Sequence, residues 1–241
     1  LHIQKNMIKN KTHIILLCFI FACLFVSCKK NGFTVKGEFS NNTYTYCVLD
    51  EIQPYDIIPI DTILLINNTF KQFVPCTDKS FYRIRFTKEN SITFIAGDKD
   101  NISISADLND TKKTQNISGN EESVLFLEVN KKIHEMYLIT DSLSKIFVKY
   151  KGTNEFDSIC NQLDSCYYQN FNYYKNYLQD FIIQHPNKLA SISAFYQKIG
   201  YRPFFSVTEN RELVEKMMKE LSITYPNNQH VKALGEKLSD E

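Results

Sequence analysis

From Phe33 to about Asp107, apolar and polar residues alternate in short runs separated by turn signals. Phe33-Thr-Val-Lys-Gly-Glu-Phe39 alternates, Asn41-Asn42 interrupts it, and Thr43-Tyr-Thr-Tyr-Cys-Val-Leu49 follows. Ile57 to Ile66 surrounds Asp61, Asn67-Asn68 marks a second turn, and Thr69-Phe-Lys-Gln-Phe-Val74 resumes the alternation. Phe81-Tyr-Arg-Ile-Arg-Phe86, Ser91-Ile-Thr-Phe-Ile95 and Ile102-Ser-Ile-Ser-Ala106 complete the series, the last two separated by Gly97-Asp98-Lys99-Asp100-Asn101. A period of two bounded by Asn, Asp and Gly predicts strands. Strands this short, at roughly ten-residue spacing, predict an antiparallel β-sandwich or open barrel.

Beyond Gly119 the period becomes 3.6. Phe126, Val129, Ile133, Met136, Leu143, Phe147 and Tyr150 fall at three- and four-residue steps, with Thr140 inside the stripe, which is one face of a helix. Ser118 and Glu121 have the spacing of a capping box at its start, and Lys151-Gly152 breaks it. A second stripe, Phe156, Ile159, Leu163, Tyr167, Phe171, Tyr174, Leu178 and Phe181, is stopped by Pro186. Shorter helices are predicted over Leu189–Ile199, ended by Gly200, over Thr208–Leu221, and after Pro226. The fold class is therefore α+β: a β-rich domain over 28–117 and an α-helical domain over 118–241.

The first 27 residues follow neither period. Lys5, Lys9 and Lys11 precede the apolar run Ile14-Ile-Leu-Leu-Cys-Phe-Ile-Phe-Ala-Cys-Leu-Phe-Val26, and Ser27-Cys28-Lys29-Lys30 follows. A basic head, a short apolar middle and a small residue before a cut are the parts of a secretory signal, here residues 1–27. The run of about 13 residues is short for a transmembrane anchor, the alternative reading, which needs about 20. Leu24-Phe-Val-Ser-Cys28 resembles the lipobox of bacterial lipoproteins, with Phe25 where Leu is usual, and makes Cys28 the lipidation site. Ile20-Phe-Ala-Cys23 is a weaker rival, because it would leave an apolar tail on the mature chain. Met7 is a better initiator than Leu1, so residues 1–6 are expected to be a gene-boundary artefact or the mark of a fragment.

Export changes how composition is read. Residues 1–27 hold three Lys and no acid, so their removal turns a formal charge of +1 into −2. A near-neutral chain without a basic stripe has no electrostatic case for nucleic acid. The 43% hydrophobic and 23% charged content is that of a globular chain, not a disordered one. Of the 7 Cys, Cys47, Cys76, Cys160 and Cys166 remain beyond Cys28, in a compartment that permits disulfides. Cys47 and Cys76 both fall in predicted strands and can pair only if those strands are neighbours. Cys160 and Cys166 lie six residues apart, about 9 Å in rise and about 240° in azimuth along a helix. A disulfide needs Cα atoms within about 7 Å, so an unbroken helix cannot bridge them.

No complete catalytic motif is present. His134-Glu135 has Leu138 where a zinc-protease helix needs its second His, and the five His are scattered, so no metal site is expected. His185 precedes Pro186 at a helix end, where a cation suits the dipole, and His230 stands alone. The 7 Gly form neither a dinucleotide fingerprint nor a phosphate-binding loop, and no Gly-x-Ser-x-Gly elbow exists, so no cofactor is expected. Glu121-Glu122 and Asp240-Glu241 read as solvated charge. Asp61-Thr62-Ile63, Asp141-Ser142-Leu143 and Asp157-Ser158-Ile159 resemble a bacterial O-glycosylation acceptor, making Thr62, Ser142 and Ser158 candidate sites. The Tyr-rich stretch Tyr167 to Tyr177 reads as helix packing, with a partner surface as the lesser alternative.

Taken in order, Phe33-Thr-Val-Lys-Gly37, Asp61-Thr62, Asn-Asn-Thr-Phe70, Phe94-Ile-Ala-Gly-Asp98, Ile102-Ser-Ile104, Ile117-Ser-Gly119, His185-Pro-Asn-Lys and Tyr225-Pro-Asn-Asn-Gln-His-Val-Lys-Ala-Leu234 resemble the domain of unknown function 4369. That family stands before a thioredoxin-like domain in thiol–disulfide oxidoreductase lipoproteins of the Bacteroidetes. The resemblance implies that redox chemistry belongs to the thioredoxin domain, whose Trp-Cys-x-x-Cys has no counterpart in this chain. The expectation is a lipid-anchored, non-catalytic accessory or binding module of the bacterial envelope, on the periplasmic face of the outer membrane rather than the inner. Its partners would be the bilayer, through the acyl anchor, and a protein of the envelope; nothing in the sequence fixes an oligomeric state. The alternative is the N-terminal portion of an oxidoreductase whose thioredoxin domain lies downstream.

Overall fold

The computed structural model describes residues 31–240. The signal segment Ile14–Val26, Cys28 and Glu241 lie outside the described residues, as do Cys18, Cys23, His2 and His13. Among the described residues ten strands and six helices follow in chain order, the first seven strands ahead of every helix and the long helices after the eighth, as the two periods predict. The strands are β1 (Gly32–Ser40), β2 (Tyr46–Ile52), β3 (Ile57–Leu64), β4 (Thr69–Pro75), β5 (Ser80–Arg85), β6 (Ser91–Ala96), β7 (Asn101–Asp107) and β8 (Asn116–Ser118). A short α1 (Thr111–Thr114) precedes β8, and α2 (Glu121–Tyr150), α3 (Phe156–Gln184) and α4 (Leu189–Phe195) follow. β9 (Lys198–Ile199), β10 (Arg202–Pro203), α5 (Arg211–Thr224) and α6 (Gln229–Asp240) complete the fold.

Two four-stranded sheets, ordered β4-β1-β7-β8 and β3-β2-β5-β6, enclose a sandwich core. Every ladder is antiparallel except β1–β7, which is parallel from Thr34–Asn101 to Ser40–Asp107. Alternation decides which side chains go in. Phe33, Val35 and Phe39 of β1 and Ile102 and Ile104 of β7 are buried against Leu49, Tyr82, Ile84, Ile92 and Phe94 of the other sheet. The turn expected at Asn67-Asn68 takes φ of 51° and 63°, with mutual hydrogen bonds between Ile66 and Thr69. Asn tolerates this left-handed region, and a two-residue loop of that hand matches the strand twist.

The second sheet is used on both faces. In Ser80-Phe-Tyr-Arg-Ile-Arg85, Tyr82 and Ile84 enter the sandwich, whereas Phe81 joins Ile95 of β6 in a second core made mostly by helices. That core takes Phe126, Val129, Ile133 and Met136 of α2, Phe171, Tyr174, Leu178 and Phe181 of α3, and Val214, Met217, Leu221, Val231 and Leu234 of α5 and α6. Past Met136 on α2 and before Phe171 on α3 no residue is fully buried. The far half of this helical hairpin therefore projects as an arm, about 21 Å from Tyr137 to Tyr150 at 1.5 Å per residue.

Three local expectations change. The N-cap of α2 is Asn120, whose side chain accepts from the Ser123 amide at 2.7 Å, not Ser118 of the expected capping box. Ser118 is instead in β8, and Gly119 follows it at φ +115°. The helix expected over Leu189–Ile199 stops at Phe195, because Lys198–Pro203 folds back as the β9–β10 hairpin around Gly200 at φ +58°. Among the described residues no helix is long and apolar enough to cross a membrane.

Candidate functional site

Where the second sheet meets α2, the two layers do not close completely. The β5–β6 register sets Arg83 opposite Thr93 and Arg85 opposite Ser91, so these four side chains share the face turned towards the helices. Between Ser91 and Thr93 of β6 and α2 lies a cleft of about 310 Å³, which Arg83 and Arg85 do not line. Buried Phe126, Leu127 and Ile133 form its floor. Ser91 and Thr93, Asn130, His134 and Tyr137 of α2, Gln197, and Lys112 and Gln115 around α1 supply its polar wall. The Gln197 amide donates to Asn130 Oδ1 at 3.4 Å, and the Tyr137 hydroxyl donates to the Lys198 carbonyl at 3.2 Å. His134, discarded as half of a metal motif, thus reappears as a cleft residue one helical turn before Leu138.

Beside the cleft, Asp50 is fully buried and holds both arginines. Arg83 donates to Oδ2 from Nε (2.9 Å) and Nη2 (2.7 Å); Arg85 donates to Oδ2 from Nε (2.7 Å) and to Oδ1 from Nη2 (2.9 Å). Burial alone would raise the Asp50 pKa. The hydrogen bonds from Arg85 and Arg83, with their charges, outweigh it and hold the carboxyl below the usual range. One carboxylate against two guanidiniums leaves this outer face net positive.

A second buried carboxylate ties the helices together. Glu122 was expected as solvated charge, yet it is 2% exposed. It accepts from the Leu189 and Ala190 amides, each at 3.1 Å, and from the Tyr225 hydroxyl at 2.5 Å. These amides open α4 and have no partner within their own helix, which is why an acid is stable there. Burial first, then the Glu122 carboxylate, push the Tyr225 hydroxyl above its ordinary pKa. Its neighbour Glu121 stays at the surface and pairs with Lys188. His230 does not stand alone either: its Nε2 lies 2.9 Å from the Ile52 carbonyl and its ring packs edge-on to Phe81.

The four cysteines of the described residues are free thiols. Cys47 is buried in β2 opposite Ile63, while Cys76 follows β4 in the other sheet, and the structure does not join them. Burial pushes the Cys47 thiol up to about 12, and burial followed by Asp98 and Asp100 pushes Cys76 up to about 11. Thiolate chemistry at neutral pH is disfavoured at both. Cys160 and Cys166 lie on the one continuous α3. Thr62 of β3 and Ser142 and Ser158 of the arm are all exposed. Among the tyrosines of α3, Tyr174 is buried, whereas Tyr168 and Tyr173 are half exposed. Lys132 sits over the rings of Tyr173, Tyr174 and Tyr177 at 5.5 to 6.0 Å. No group of side chains able to hold a metal ion occurs among the described residues.

The cleft brings together residues that sequence reading left unconnected. One signal for its charge was available: Arg83 and Arg85, two apart in a strand, share a face, and Asp50 follows the inward Leu49 on a neighbouring strand. Comparison with family models, curated proteins and solved structures finds no match. What stands is the class the geometry defines, an α+β protein in which a β-sandwich carries a helical layer and a polar cleft opens between them.

Proposed function

We propose that this chain is a lipid-anchored, non-catalytic binding or accessory module of the bacterial cell envelope, held on the periplasmic face of the outer membrane. One observation carries the reading: the basic head, apolar run and Leu24-Phe-Val-Ser-Cys28 end four residues before β1 begins at Gly32. A lipid on Cys28 would tether the sandwich close to the bilayer. Each buried methylene contributes about 0.8 kcal/mol, so several acyl chains hold almost permanently where one does not. The cleft supplies a place to bind, and the raised thiols of Cys47 and Cys76 favour binding over redox chemistry. Labelling with a palmitate analogue is expected to mark the wild-type chain and spare Cys28→Ser; equal labelling of the two would sink the anchor.

The resemblance to the domain of unknown function 4369 supports a second reading, the N-terminal portion of a thiol–disulfide oxidoreductase. An open reading frame continuing past codon 241 into Cys-x-x-Cys would establish it.

A further inference from the structure

We infer that the cleft between β6 and α2 binds a small organic carboxylate, its anionic end held by the Lys112 and His134 side and its apolar end laid on Phe126 and Ile133. The inference rests on the binding-module reading above, but not on the lipid anchor.

The charge distribution argues for an anion. Among the described residues lining the cleft there is one Lys and one His, and no Asp or Glu. The acids of α2 nearest in sequence are turned elsewhere: Glu128 accepts from Tyr177 and Glu135 from Lys132 and Tyr174. The sheet behind the cleft adds net positive charge, because Asp50 neutralises only one of the two arginines it holds. Ser91 and Thr93 add hydroxyl donors on that side. A half-enclosed site bounded by Lys112 and hydrogen-bond donors, without an acid, raises the local concentration of anions.

Size and floor narrow the ligand. About 310 Å³ is at the small end of ligand pockets, which run from about 300 to 1,000 Å³. Phe126, Leu127 and Ile133 are 8%, 6% and 2% exposed, so the floor is apolar and already ordered. An inorganic anion would leave that floor against water, whereas a carboxylate bearing a ring or short aliphatic tail covers it.

The test compares phenylacetate with phenylacetamide, which has the same ring and no charge, by isothermal titration of the full chain in a non-ionic detergent. Phenylacetate is expected to bind with Kd of about 1 mM or tighter, a value in reach of so small a ligand. The amide is expected to bind about tenfold more weakly, the effect of losing one charge-assisted hydrogen bond. In the double variant Lys112→Gln, His134→Gln the preference for the acid should fall to about twofold or less, the remainder coming from the sheet behind the cleft. Lys112 is exposed, so the single Lys112→Gln serves as a variant that keeps the fold and loses part of the preference. Equal binding of acid and amide to the wild type, no binding of either, or an undiminished preference in the double variant would each overturn the inference. The lipid on Cys28 is read separately by palmitate labelling, so failure of one result leaves the other intact.

Discussion

Replacing Glu122 with Ala should be among the most damaging single changes in the helical layer. The carboxylate is 2% exposed and accepts three hydrogen bonds, two of them from the first amides of α4 and one from Tyr225 at the end of α5. Hydrogen bonds to a charged group contribute about 1.5–3 kcal/mol each, and a buried amide left without a partner costs about 1–3 kcal/mol. The three bonds share one carboxylate and are not additive, so the expected loss is about 3–5 kcal/mol. For a folded part of this size, about 2–4 °C in Tm accompanies each kcal/mol, giving a fall on the order of 10 °C. Glu122→Gln keeps one acceptor oxygen but turns an NH2 towards an amide donor, and should cost roughly half as much. Urea unfolding followed by far-UV circular dichroism measures both variants, with an unchanged slope expected if only the native state is affected. If Glu122→Ala stays within about 0.5 kcal/mol of wild type, as surface changes do, the three-way junction does not hold the helices and the reasoning is wrong.

Asp50→Ala leaves two adjacent guanidiniums without their carboxylate and should cost about 3 kcal/mol in the same assay. Because Asp50 titrates lower in the folded than in the unfolded chain, its stabilisation is present above the unfolded pKa of about 3.9 and is lost as pH falls through the folded value. Urea midpoints of wild type should therefore drop on acidification below about pH 4 more steeply than those of Asp50→Asn. Cys47, 0% exposed and pushed up to about 12, should resist iodoacetamide at pH 8 until urea unfolds the chain, whereas the half-buried Cys160 and Cys166 react first, as peptide mapping would show. Gly119→Ala should cost about 2–3 kcal/mol, since φ is +115° and an added Cβ would come within 1.9 Å of the Asn101 carbonyl oxygen; an unchanged Tm would contradict this.

Periodicity made the fold legible because it reports burial directly. The alternation of Phe33 to Phe39 and the stripe from Phe126 to Met136 each mark a buried face, and both elements form where the pattern places them; beyond Met136 the stripe gives the helix but not burial, since Phe147 is exposed on the arm. The parallel pairing of β1 with β7 was not legible, because alternation fixes which face is buried and says nothing of which strand lies alongside. The β9–β10 hairpin was missed for a related reason: Lys198-Ile199 is too short to show a period at all. The cleft was hidden more deeply. Ser91, Lys112, His134 and Gln197 lie far apart in the chain and meet only through the packing of α2 on β6. Glu122 was misread because an acid at a helix start is usually solvated; that it faces the amide end of another helix depends on tertiary structure alone.

Mass spectrometry of the mature N-terminal peptide, recovered from membranes of a lipoprotein-processing bacterium, bears most directly on the proposed function. The reading predicts a peptide that begins at Cys28 and carries a diacylglyceryl group and an amide-linked acyl chain. A peptide that still contains Ile14–Val26, or one that begins elsewhere and bears no lipid, would contradict it.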